Sequence, residues 1–307
     1  MNKLESKHSC IMCNSHKLLL IRQIPSSDIV KAWINTFKHN IANSFHGIDK
    51  IYLFKCAQCH ISFFSPNVHD SADSIYTVLE QRDWYYMEEK WEYTMALKDI
   101  KYSDNVLEIG CGKGAFLKKI KNKLGAYTLG IDMNNSAIIE AKKAGLLAEK
   151  KDLKNLTTEI SHNFDVICCF QLLEHVADPK YFIEQCCLLL KPEGKLILGL
   201  PNANSFLKYQ FNILDMPPHH FTRWSKNTLQ KIPSFYPLIL DKIKYEPLAK
   251  YHVNEFVSTY FSYYKSLHIL NRILHSRLTR YFSYFLTLTK LHYFLTGHTM
   301  YCSFIKK

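Results

Sequence analysis

Val106-Leu-Glu-Ile-Gly-Cys-Gly-Lys-Gly114 decides the reading of this chain. Val, Leu and Ile around Glu108 run into three glycines spaced by one residue, and Ala115-Phe-Leu-Lys-Lys-Ile follows with helical spacing. A buried strand, a tight turn and a helix in that order make the ligand-facing corner of a parallel α/β sheet. Glycines at 110, 112 and 114 let the backbone turn sharply and approach a ligand closely. The spacing is GxGxG, not the GxGxxG of dinucleotide sites. Glu108, two places before the first glycine, faces a pyrophosphate badly but an ammonium group well.

Outward from this corner, Asn105 to Pro247 alternates apolar strands with amphipathic helices. AYTLGID, NFDVICCF, KLILGLPN and FYPLILDKIKYEP read as strands; SAIIEAKKAG, DPKYFIEQCCLLL and SKNTLQKI, starting at Ser225, read as helices. Residues 248–297 break the rhythm. They are aromatic and basic, with Leu267, Leu270, Ile273 and Leu274 on one helical stripe, before TMYCSFIKK returns to a strand pattern. The predicted fold is α/β, with a helical insertion ahead of the final strand.

This ordered set resembles the class I S-adenosylmethionine (SAM) dependent methyltransferases, whose first motif is E/DxGxGxG. The resemblance covers about residues 100–247 and the last strand. It implies a Rossmann-like, seven-stranded, mostly parallel sheet holding SAM. On that resemblance Glu108, Gly110, Cys111, Gly112 and Gly114 form the first part of the cofactor site. Asp132, followed by Met133, ends the second strand, where the family places an acid on the ribose hydroxyls. Asp152-Leu153 falls where the family contacts adenine, and Phe170-Gln171 ends the fourth strand in FDVICCFQLLEHVADP. A degenerate, non-catalytic SAM-binding module of the same fold is one alternative.

The sulfonium of SAM is already activated, so the protein must align an acceptor and, for an O or C acceptor, remove a proton. His175 follows the fourth strand in Leu-Leu-Glu-His; His219 and His220 follow the fifth in MPPHHFTRW. Strand C-terminal ends build the site of an open α/β sheet. PPHHxxRW is similar to a segment of methyltransferases acting on sugars and other small metabolites. His220 and His219, then His175, are the catalytic candidates; each alone could equally be a packing residue. Tyr85 and Tyr86 in the aromatic connector are positioned by sequence to act as a lid, or simply to pack.

Cys10-x2-Cys13 and Cys56-x2-Cys59 give four thiols in two pairs, a set that suits a closed, structural tetrahedral Zn2+. SSDIVKAWINTFKHNI between them reads as a helix capped by Ser26 or Ser27, and IYLFKC and ISFF as short strands. In layout the chain resembles sugar C-methyltransferases that carry a four-cysteine zinc module. The expected domains are a zinc module at 1–66, a helical connector or lid at 67–104, and the methyltransferase domain at 105–307, with 248–297 as acceptor cover.

The first 307-residue reading of the acceptor is a small molecule or glycan, as a sugar intermediate, methylated on O or C. The net charge of +12 raises RNA or another nucleic acid as a second acceptor class. Against it, the fourth strand ends without an Asn/Asp-Pro-Pro-aromatic clamp, and neither Cys168 nor Cys169 precedes a proline. Charge is also local: no acidic residue follows Glu255. The insertion's Tyr260, Phe261, Tyr263, Tyr264, Tyr281, Phe282, Tyr284 and Phe285 could stack on a sugar, cover an acyl chain, or touch a membrane surface or a second copy. MNKLESKHSC has no apolar leader core, and no window reaches roughly 18 apolar residues, so a cytoplasmic protein is expected.

Overall fold

In the computed structural model, residues 8–68, 74–82, 84–263 and 278–307 are described, and their strands form two sheets. In chain order these are β1 (Leu18–Pro25), β2 (Lys50–Cys56), β3 (Ser62–Ser65), β4 (Asn105–Ile109), β5 (Tyr127–Asp132), β6 (Ala148–Lys150), β7 (Phe164–Phe170), β8 (Leu190–Pro201), β9 (Thr222–Arg223), β10 (Leu238–Pro247) and β11 (Thr296–Lys306). The helices are α1 (Ser26–Phe37), α2 (Ser74–Leu79), α3 (Trp91–Ala96), α4 (Ala115–Lys123), α5 (Asn135–Lys143), α6 (Leu153–Glu159), α7 (Pro179–Leu189), α8 (Lys226–Lys231), α9 (Val253–Tyr263) and α10 (Leu278–Leu288).

The large sheet has seven strands in the order β10-β11-β8-β7-β4-β5-β6. β8, β7, β4, β5 and β6 are parallel, and β11 runs antiparallel to both β8 and β10. This is the predicted seven-stranded, mostly parallel architecture. β4 pairs with β5 on one side and β7 on the other, so the strand order reverses beside it. An open α/β sheet places its ligand crevice at the C-terminal ends of strands flanking that reversal. Both faces of β4 are covered, which is why its apolar run is nearly continuous.

The small sheet, β1-β2-β3-β9, is completed by a strand from far along the chain. Ser62 pairs with Arg223 and Phe63 with Thr222. The Phe64 N–H donates to the Phe221 carbonyl at 2.9 Å, and the Thr228 hydroxyl to the His60 carbonyl at 3.0 Å. Phe54, Cys56 and Phe63 share one apolar core with Leu107, Cys169 and Leu196 of the large sheet. The cysteine-bearing segment is thus sealed against the strand ends that make the crevice.

Three local expectations change. β1 escaped the sequence reading because only its ends are buried, leaving no clean alternation. α1 is capped by Pro25 without a side-chain bond; Ser26 and Ser27 lie inside the helix, and Ser26 is buried. Among its described residues the helical connector is helical only in α2 and α3, because the aromatic residues between them fold into turns over the crevice. Ser225 does cap α8, accepting from the Thr228 N–H. In the insertion, α9 and α10 bury Val257 and Leu286 with Phe206 and Leu248, while Tyr281, Phe282, Tyr284 and Phe285 are exposed. The stripe Leu267, Leu270, Ile273 and Leu274, with Tyr264, lies outside the described residues. No helix among the described residues is long and apolar enough to cross a membrane.

Candidate active site

The glycine loop hangs from the end of β5. The Gly110 and Cys111 N–H groups both donate to the Ile131 carbonyl, at 2.8 and 3.1 Å. The Gly112 N–H donates to Asp132 Oδ2 at 2.8 Å, and the Asn134 N–H to Oδ1 at 2.8 Å. Asp132 therefore shapes the loop while its remaining lone pairs face the crevice. Gly112 has φ of 52°, and a Cβ there would stand 3.0 Å from the Tyr86 ring. At Gly114, φ is 81° and a Cβ would meet Leu146 at 2.5 Å. Neither position accepts a side chain without displacement.

Beside the loop lies a cavity of about 1530 Å³. Of the predicted cofactor residues, Gly110, Cys111, Gly112, Gly114, Asp132, Met133, Phe170 and Gln171 line it. Glu108, Asp152 and Leu153 do not. Glu108 is buried on the central strand under the loop, accepts from the Leu117 N–H, and is pushed well above the usual carboxylate range by burial. Asp152 is occupied as the cap of α6, accepting from the Asn155 N–H at 2.6 Å, and Leu153 opens that helix.

The connector supplies a roof that includes residues the sequence did not mark. Tyr86 donates to Glu80 Oε1 at 3.3 Å; Asn134 donates to Glu80 and, at 3.4 Å, to the Tyr86 oxygen. The Lys113 ammonium sits 5.4 Å above the Tyr86 ring. Buried Glu92 accepts from Gln171 at 3.1 Å, so it fixes the residue after β7. Glu80 and Glu92 lie far before the glycine loop in sequence, and no local spacing signals their role.

His175, His219 and His220 also line the cavity, and there they converge. One ring nitrogen from each lies within 4.8 Å of the others. His175 Nδ1 is 2.7 Å from the His219 carbonyl, and His219 Nδ1 is 2.8 Å from the Leu214 carbonyl. A carbonyl only accepts, so both Nδ1 atoms carry the proton. His220 Nδ1 faces Asp215 Oδ1 at 3.3 Å. Burial, reinforced by the neighbouring imidazoles, holds His175 and His220 well below the usual histidine range, and burial brings His219 to about 4. All three are neutral near pH 7. Glu174 is buried beside them, with neither carboxyl oxygen hydrogen-bonded, and burial pushes it up to about 8. Asp215 is raised to about 6 by burial against the pull of Arg223, whose Nε lies 2.9 Å from Asp215 Oδ2 in an ion pair.

The four predicted ligand cysteines also converge: the sulfurs of Cys10, Cys13, Cys56 and Cys59 lie within 4.8 Å of one another. Cys10 and Cys59 are 3.4 Å apart, Cys13 and Cys56 3.6 Å. The Gln58 and Cys59 N–H groups point at Cys56 Sγ, at 3.3 and 3.5 Å. Hydrogen bonds from Cys10 and Cys59 draw the Cys56 thiol down, while the bond to Cys56 pushes Cys10 up to about 12. The cluster lies outside the cavity lining.

Comparison with known proteins gives a consistent picture. A family profile described as a methyltransferase domain matches residues 79–241. A ubiquinone biosynthesis O-methyltransferase of Coxiella burnetii is 35% identical over 134 residues, 39% of this chain and 56% of that protein. Its namesake from Actinobacillus pleuropneumoniae is 36% identical over 145 residues, 41% of this chain and 61% of that protein. The chain thus spans less than two thirds of the length of these relatives. A SAM-dependent methyltransferase from Archaeoglobus fulgidus superposes with a TM-score of 0.50 at 20% identity, covering 76% of this chain and all of that one, a likeness of fold.

Proposed function

The chain belongs to the methyltransferase-domain family, and we propose that it transfers a methyl group from SAM to a hydroxyl oxygen of a small molecule. The observation that carries this reading is continuity: one cavity runs from the bare glycine loop to the three neutral histidines. At about 1530 Å³ it exceeds the ~300–1,000 Å³ that encloses one drug-sized ligand, leaving room for donor and acceptor together.

The residues present fit SAM. The unsubstituted loop at Gly112 permits close backbone approach, and Asp132 keeps carboxylate lone pairs for paired hydroxyls. When bound, SAM supplies a methyl carbon on a sulfonium, and the carbon–sulfur electron pair returns to sulfur as the acceptor oxygen takes the methyl. The chain's own residues do the rest. Tyr86 and Glu80 roof the loop, Gln171 is held by Glu92 at the mouth of β7, and the histidine cluster, whose Nδ1 protons on His175 and His219 leave Nε2 free, takes the hydroxyl proton.

Within this class, a sugar or glycan hydroxyl is the finer reading. PPHHxxRW supports it, as do Trp84, Tyr85 and Tyr251 around the cavity, whose rings can stack on a sugar face. The names of the curated relatives support oxygen over carbon as the acceptor atom. The Cys10, Cys13, Cys56 and Cys59 cluster is proposed to hold a structural Zn2+, which its four-sulfur donor set and N–H···S contacts suit. The test is incubation with SAM and a panel of phenols, free sugars and nucleotide-linked sugars, reading S-adenosylhomocysteine and a product one methyl heavier. Turnover of a sugar over the phenols supports the finer reading; turnover of phenols alone rejects it, and no turnover of any hydroxyl rejects the proposal.

A further inference from the structure

We infer that His175, His219 and His220 form a second metal site, one that binds a divalent transition ion of the zinc or iron(II) type inside the cavity. Its suggested role in methyl transfer rests on the reading above; ion binding itself does not.

The first observation is the arrangement of the ring nitrogens. Each imidazole directs Nδ1 at an oxygen: the carbonyls of His219 and Leu214, and the Asp215 carboxylate. A histidine bound to a metal through Nε2 is ordinarily held in this way, with its other nitrogen donating to a carbonyl or carboxylate. The three rings also crowd together, with centroids 4.4 to 4.6 Å apart, and one nitrogen of each falls within 4.8 Å of the other two. Two bonds of about 2.1 Å to one ion span at most about 4.2 Å, so small ring rotations close the site.

The second observation is orphaned polarity. His219 Nε2 is buried with no hydrogen-bond partner, and so are both oxygens of Glu174. Glu174 is 1% exposed and brings Oε1 to 3.9 Å from His175 Nε2. Leaving such groups unsatisfied is costly; a cation held by the three imidazoles relieves His219 Nε2 with the Glu174 carboxyl beside it. Three imidazoles with a carboxylate at hand select zinc, iron(II) or cobalt over magnesium or calcium.

Three nitrogen ligands leave positions open toward the cavity, where an acceptor hydroxyl oxygen can bind and become more acidic. The site is distinct from the cysteine cluster in ligand type, which makes the two separable by spectroscopy.

The test uses the full chain, stripped of metal under reducing conditions and titrated with Co2+. The expected result is two equivalents bound. One gives the near-ultraviolet thiolate-to-cobalt band of the cysteines. The other gives strongly shifted, exchangeable imidazole N–H proton resonances, which the cysteine site cannot produce. A His219→Gln/His220→Gln variant is expected to lose those resonances and keep the thiolate band. Wild-type protein that takes up one equivalent only, or a second without shifted imidazole resonances, overturns the inference. SAM titration of the same samples separates the two readings. A second ion bound without SAM affinity upholds the ion site and removes the methyl-donor role; SAM affinity without a second ion does the reverse.

Discussion

Arg223 grips Asp215 in two ways: its guanidinium donates to the Asp215 carbonyl at 2.9 and 3.1 Å, and its Nε forms an ion pair 2.9 Å from the Asp215 carboxylate. Arg223 belongs to β9, the strand that completes the cysteine-bearing sheet, and packs 5.2 Å from the Phe64 ring. Asp215 in turn faces His220. A rigid line therefore runs from the small sheet to the histidine cluster.

Arg223→Lys keeps the charge and loses the planar fork. Steady-state kinetics are expected to show turnover reduced roughly tenfold to a hundredfold, in line with a small misplacement of a catalytic group. SAM affinity should stay within about twofold, because neither Arg223 nor Asp215 makes the hydrogen bonds that shape the glycine loop. Equal turnover in the variant would mean the fork is structural only.

The cysteine cluster should matter to the same site from further away. If the cysteine cluster holds the proposed Zn2+, Cys56→Ser is expected to release it and lower the melting temperature by about 10 °C, several kcal/mol for a chain of this size. Because β3 holds β9 in register, turnover should fall with it, while SAM binding below the melting temperature persists. Metal content, melting and calorimetry on one preparation decide the matter.

At the loop, Gly112→Ala forces a side chain into a left-handed φ and against Tyr86. Strain of about 1–3 kcal/mol predicts SAM binding weaker by about tenfold or more. Adding Tyr86→Ala removes the clash but not the strained φ, so the double variant should recover part of the loss. Additive losses in a double-mutant cycle would show that the two residues do not meet.

Stability in acid should depend on Asp99, which follows α3 and pins the connector to the edge of the sheet. Burial alone would raise its carboxyl, yet hydrogen bonds from Lys242 and Tyr301 hold it below the usual range. A carboxyl depressed in the folded state contributes stability that is present above its unfolded value of about 4 and lost as pH falls through the folded one. Asp99→Asn is therefore expected to lower stability at neutral pH and flatten its decline below about pH 4. Denaturant melts from pH 3 to 7 read both; parallel profiles for the two proteins contradict this.

The sheet was legible because its signals are local. Val106–Gly114, Asp132 at the end of β5 and the His219–His220 pair each carry their meaning within a few residues, and burial on both faces wrote the parallel strands as apolar runs. The four cysteines were legible through paired spacing. What the sequence hid depends on long-range closure. β9 is two residues long and completes a sheet begun at Leu18, with Arg223 pairing with Ser62 far back in the chain. Glu80 and Glu92 reach the site only because the connector folds back over the loop. The burial of Glu108 on the central strand is of the same kind, set by packing from both sides of the sheet and not by its own neighbours in sequence. Asp152 likewise met a nearer demand, the free N–H groups of α6.

The central claim is that the glycine loop and Asp132 hold SAM, and titration calorimetry of the purified chain with SAM, repeated on Asp132→Ala, tests it most directly. The account predicts binding in the micromolar range for the wild type and a loss of at least about tenfold in the variant, since one side chain both orders the loop and offers charge-assisted hydrogen bonds. A folded wild-type protein that gives no binding heat at several temperatures, or a variant that binds as tightly, would contradict it.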